Sequence, residues 1–180
     1  AYHVAAPGRW LDAGSMVHLP TWLHTLWPMG TESLFALLLP VGGVEACKPL
    51  VALMAGLSAL GTVALGAALG SRAAGLVAAT LLLVRMDAPS LGTTSVEGPL
   101  TLFVVLGALA LARASQAAEG PDRRRWILLA TLFAGFACCT KLNGLACAAF
   151  LAAGAAFAIK APLEARIVSA GAVLAGAVCL

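Results

Sequence analysis

From Val44 onward the chain is a succession of apolar stretches rich in Ala, Leu, Gly and Val, broken by short polar segments. This one feature limits the folds open to it. The stretches are continuous and lack the alternation of an outer-membrane barrel strand, so they read as helices, the form in which a segment satisfies its own backbone in lipid. With 61% hydrophobic and only 11% charged residues, the chain has too little polar surface for a soluble domain of its size. A helix needs about 20 apolar residues to cross the hydrocarbon core. The expected fold is therefore all-α, a polytopic transmembrane helix bundle. Five spans fall at about Val44–Leu69, Ala73–Met86, Val96–Ala112, Trp126–Thr140 and Leu142–Ile159, with a sixth from Leu163 cut at Leu180. The absence of an initiator Met and the apolar end at Cys179-Leu180 read as the borders of a piece of a longer protein.

Residues 1–43 are mixed in character and form a separate unit, an outer loop with two short helices. Tyr2–Ala13 fits an amphipathic helix with Tyr2, Val4, Trp10 and Leu11 as apolar anchors and Gly14-Ser15 as its stop. Gly30–Leu39 fits a second, ended by Pro40 and Gly42-Gly43. Neither is long enough to span, so both are expected to lie in the membrane interface. Trp22 and Trp27 suit the same level, where an indole is half buried and its N–H stays wet.

Charge placement sets the expected topology. Arg113, Arg123, Arg124 and Arg125 mark their loop as cytoplasmic. Alternation puts Arg72, Lys160 and Arg166 on that side too. Arg9, Lys48, Arg85 and Lys141 fall on the far side with all three His and with Asp12, Glu32, Glu45, Asp87 and Glu97. One face is a basic anchor; the other has the mixed charges that a reaction needs.

Two residues on that second face stand out. A charge at the end of a span is costly, about 2.5–3.5 kcal/mol at the bilayer centre, unless paired or wet, and marks function by default. Lys141, beside Asn143 and Gly144, can hold an anionic lipid headgroup; snorkelling to the interface is the plainer reading. Glu97 follows Thr94-Ser95 and precedes Gly98-Pro99. It can bind sugar hydroxyls or a divalent cation, or orient an acceptor, or simply favour a helix N-terminus. His3 and His24 can donate to phosphate or a sugar hydroxyl, whereas His18 reads as loop surface. Glu32, behind Thr31, reads as a helix cap, and Arg85 as a partner for Asp87. The five Cys form no CxxC pair and no Cys/His cluster, which leaves them as small packing residues. No phosphate-cradling Gly loop, HExxH or nucleophile elbow is present, and nothing supports nucleic-acid binding.

Four segments then occur in a familiar order: Tyr2-His3 with the helix to Gly14; His24 to Glu32; Thr94-Ser95-Val96-Glu97; and Ala134 to Gly144, which contains Thr140-Lys141-Leu142-Asn143. In this order the chain resembles the polyprenyl-phosphate-dependent glycosyltransferases of the GT-C fold, in the family 39 group of protein mannosyltransferases and aminoarabinose transferases. The resemblance covers about residues 1–160. It implies a lipid-phosphate sugar donor, a lipid, glycan or protein acceptor, and an active site on the non-cytoplasmic face of a bacterial plasma membrane. It implies that Lys141 holds the donor phosphate, that Glu97 acts as the carboxylate beside sugar and acceptor where many relatives carry Asp, and that Tyr2, His3, His24 and Asn143 line the substrate site. The family's base Asp lies a few residues before the Tyr-His pair, ahead of Ala1, so this stretch is expected to lack it and to be inactive alone. Two other classes fit the composition: a transporter or flippase using Glu97, Arg85 and Lys141, and a membrane scaffold with no chemistry.

Overall fold

The computed structural model describes residues 2–16, 18, 28–85, 94–159 and 162–179, and among these the protein is all-α. Helix α1 is Tyr2–Ala13 and α2 is Gly30–Ala68; α3 is Arg72–Arg85 and α4 is Glu97–Gln116. Helices α5, α6 and α7 are Pro121–Thr140, Gly144–Ala158 and Leu163–Cys179.

Helix α2 combines the expected second short helix with the expected first span. Its backbone leaves helical geometry at Gly42 and Gly43, the latter at φ 62°, ψ −154°, a region essentially reserved for glycine. The axis turns sharply there. Phe35 is fully buried against Cys47 and Val51, yet twelve residues of straight helix would separate Phe35 from Cys47 by about 18 Å. The first part of α2 is thus folded against the second, and α1 packs on it through Ala6, Trp10, Met29 and Ala36.

The second part of α2 runs parallel to α4. Ser58 Oγ lies 3.5 Å from the carbonyl oxygen of Gly98 near the start of α4, and Gln116 Nε2 donates to the carbonyl of Ala68 where both helices end. Helix α3 returns along α2 at very close range: a Cβ on Gly75 would lie 2.9 Å from the Val63 carbonyl oxygen, so only glycine permits the approach. Helices α4 to α7 enclose the main core of Ala110, Leu111, Ala134, Cys138, Leu151 and Ile159 with their neighbours. Small residues allow this too; a Cβ at Gly107 would stand 2.7 Å from Leu151 Cδ1. Cys47 and Cys138 are buried in the packing, free of disulfides, as expected of small apolar residues.

The polar loop is shorter than the sequence suggested. Helix α4 continues to Gln116 and α5 begins at Pro121, so Arg123, Arg124 and Arg125 lie on the first turns of α5. Gly120, at φ 136°, makes the turn and Pro121 supplies a preset φ for the first helical residue. Arg123 spans the connection, donating to the Ala117 carbonyl and to Glu119 at 3.2 Å.

Two helices among the described residues are long and apolar enough to cross a bilayer, Gly30–Ala68 and Glu97–Gln116. Gly144–Phe157 is apolar but shorter, and α3, at 14 residues, extends only about 21 Å. Large apolar side chains face outward on most helices, among them Leu60, Leu81, Leu128, Phe150, Phe157 and Val168.

Candidate functional site

The helices sort the charged residues to two ends. Arg72 opens α3, Arg113 lies in the last turn of α4, and Arg123, Arg124 and Arg125 lie in the first turns of α5. Arg166 joins them, its Nε donating to the Ala156 carbonyl near the end of α6. At the opposite end, α4 begins with Glu97, α5 ends at Thr140 before Lys141, and the first turn of α2 meets the last turn of α5. That last contact is tight, since a Cβ on Gly30 would stand 2.8 Å from the Cys139 carbonyl oxygen.

Lys141 is the first residue past α5, in extended geometry at φ −162°, ψ 151°. The chain must then turn within three residues to start α6, with Gly144 N–H donating to the Lys141 carbonyl at 2.8 Å. Any side chain at Gly144 would collide with the Ala137 carbonyl, so glycine is obligatory for this turn. Asn143 is the N-cap residue of α6 and is exposed; its side chain makes no capping hydrogen bond, while its carbonyl accepts from Cys147 N–H at 3.3 Å. The turn therefore presents Lys141 and Asn143 together at the polar end.

Glu97 meets Lys141 across the helix interface, with Lys141 Nζ 2.5 Å from Glu97 Oε1. Its second oxygen accepts from the Ser95 hydroxyl, and Ser95 Oγ in turn accepts from the Glu97 N–H at 3.3 Å. Both oxygens of the carboxylate are thus occupied by neighbours. It holds the ammonium in place and, in the first turn of α4, also lies where the helix dipole favours an acid, while Val96 occupies the N-cap without a side-chain bond. About one and a half turns below, Phe103 of α4 and Phe136 of α5 contact each other with ring centroids 5.3 Å apart. Lys141 is 31% exposed and Glu97 57%, so the ammonium can reach a ligand at this end without leaving its partner.

A second pair lies on the same end. His3 Nδ1 on α1 is 2.5 Å from Glu32 Oε1 in the first turn of α2. The sequence points to His3 as a site residue and to Glu32 as a cap. The N-cap of α2 is instead Met29, with no side-chain cap, and Glu32 is buried. The spacing of 29 residues between His3 and Glu32 has no periodic signature, so only the docking of α1 on α2 reveals the pair.

Tyr2 opens α1. His24 and Asp87, and with the latter the expected Arg85–Asp87 pair, lie outside the described residues. Lys48 and Glu45 pair with each other at 2.6 Å, exposed on the surface of α2. Among the described residues no three His, Cys, Asp or Glu side chains converge in a metal-binding group. No family model matches the chain, and neither a curated protein nor a solved structure matches it.

Proposed function

We propose that the chain is the amino-terminal membrane part of a glycosyltransferase that takes a sugar from a polyprenyl-phosphate donor and passes it to an acceptor on the non-cytoplasmic face. The observation that carries the reading is the Lys141–Glu97 pair. It joins two distant segments at the end of the molecule opposite Arg72, Arg113 and Arg123 to Arg125, and it leaves the ammonium partly exposed. The apolar outward faces of the helices favour a polytopic bundle in a membrane such as the bacterial plasma membrane.

In this reading the acceptor oxygen attacks the anomeric carbon and the bond from that carbon to the phosphate oxygen breaks. The electron pair leaves with the lipid phosphate, and Lys141 faces the charge that grows there. Glu97 positions the ammonium and offsets its charge before the donor arrives. This departs from the sequence expectation that Glu97 itself addresses sugar, acceptor or a cation. The family resemblance implies a further carboxylate as the base that takes the acceptor proton.

Lys141→Ala in the full-length protein tests the reading. Transfer from a polyprenyl-phosphate sugar should be lost, with expression and thermal stability retained. Unchanged turnover would refute the role of Lys141. A transporter would need charges along a path through the bundle; Glu97 and Lys141 lie at helix ends, so the transferase reading is preferred. Flux of substrate into proteoliposomes without any glycosylated product would reverse that preference.

A further inference from the structure

Glu32 is buried at 2% exposure, and only half of its carboxylate is satisfied. Oε1 meets His3, while Oε2 is enclosed and, among the described residues, has no hydrogen-bond partner. A buried carboxylate oxygen without a donor is unfavourable. Well-packed apolar residues would be no less stable at such a position. The carboxylate thus marks a place where a donor arrives from outside, and buried ionisable groups of this kind concentrate at functional sites.

The surroundings narrow the class of that donor. A metal ion would find too few ligands, since no third acidic, Cys or His side chain joins the pair among the described residues and Oε1 is already taken. A hydroxyl group needs one acceptor oxygen and brings no charge. The pair reaches solvent on the imidazole side, His3 being 14% exposed against 3% for Glu32, so a hydroxyl would enter past His3. Glu32 lies two residues beyond Gly30, which rests on the Cys139 carbonyl, and Cys139 lies two residues before Lys141. The carboxylate and the ammonium therefore belong to one end of the molecule.

We propose that Glu32 Oε2 accepts a hydrogen bond from a hydroxyl of the donor sugar, with His3 as the positioning residue that holds the carboxylate by its other oxygen. The assignment rests on the glycosyltransferase reading and adds a sugar subsite to it. Binding is measured on the intact protein in nanodiscs, with a short polyprenyl phosphate bearing one hexose and with the same polyprenyl phosphate bearing none. Wild-type protein should prefer the sugar-bearing lipid. Glu32→Gln should weaken that lipid by about tenfold, the loss of one hydrogen bond to a charged group, and leave the bare lipid phosphate unchanged. Lys141→Ala should weaken both.

Glu32→Asp, which withdraws the oxygen by one methylene yet keeps the charge beside His3, should reproduce the selective loss. Unaltered protein supplies a test that folding of a variant cannot obscure: among donors lacking one hydroxyl at a time, at least one should bind about tenfold more weakly. A sugar preference that survives both Glu32 variants overturns the subsite, as does equal weakening of both lipids or indifference to every missing hydroxyl. If wild-type protein binds neither lipid phosphate, the glycosyltransferase reading fails and the subsite falls with it.

Discussion

Lys141 and Glu97 illustrate how a magnitude can separate two readings of the same residue. An exposed ion pair contributes only about 0–1 kcal/mol to stability, and this one is 31% and 57% exposed on its two sides. Stability alone gives little reason to bring Lys141 to Glu97 from 44 residues away. Glu97→Gln should therefore lower stability by less than about 1 kcal/mol, measured as a shift in thermal midpoint. Turnover should fall further, by about a hundredfold, because an ammonium displaced by an ångström no longer faces the leaving oxygen. If both quantities move together, the pair is structural. Ser95→Ala removes the hydroxyl that occupies the other oxygen of Glu97 and should produce a milder form of the same split, with turnover down severalfold and the thermal midpoint nearly unchanged.

At the scale of elements, the connections decide the geometry. Gly144 has no room for a methyl group, and it lies in the turn that places Lys141. Gly144→Ala should cost about 1–3 kcal/mol or more and should also displace Lys141. A lower unfolding midpoint together with lost donor binding would check this; a stable, fully active variant would refute the account of the turn.

The helices themselves were largely legible. Tyr2–Ala13 agrees with its expected bounds, and the Gly42-Gly43 break falls where Pro40 and the paired glycines suggested. The start of α5 was misplaced because three consecutive arginines read as loop. Pro121 at the first helical position and the i,i+3 pairing of Asp122 with Arg125 favour helix there instead. The Glu97–Lys141 association was legible only as a shared face, since no local spacing encodes it. The His3–Glu32 contact left no local sign at all. Glu32 behind Thr31 imitates a capping pattern, and only the tertiary placement of α1 turns it into a buried pair.

Seen whole, the molecule gathers Arg72, Arg113, Arg123, Arg124, Arg125 and Arg166 at one end, with Glu119, Asp122 and Glu164 among them, and Glu97 and Lys141 at the other; the proposed reading puts the arginine end in the cytoplasm by the positive-inside rule. Cysteine introduced at Glu119 or at Asn143 in a cysteine-free background should distinguish the two ends. In sealed vesicles of native orientation, an impermeant maleimide should label Asn143→Cys at once, and Glu119→Cys only after permeabilisation. Labelling of both from one side would end the proposed topology.

The Gly42-Gly43 break also bears on how such a chain enters a membrane. An unbroken helix of 39 residues would be about 58 Å long, nearly twice the roughly 30 Å hydrocarbon core. As this segment leaves the ribosome, its apolar character alone does not say where a span should begin, because the first part is almost as greasy as the second. On the proposed membrane reading, glycine at positions 42 and 43 supplies that punctuation, dividing the residues of the first span from those at its edge. Alanine at both positions would erase the mark, and the register of the first inserted helix would drift, carrying the docking place of α1 with it.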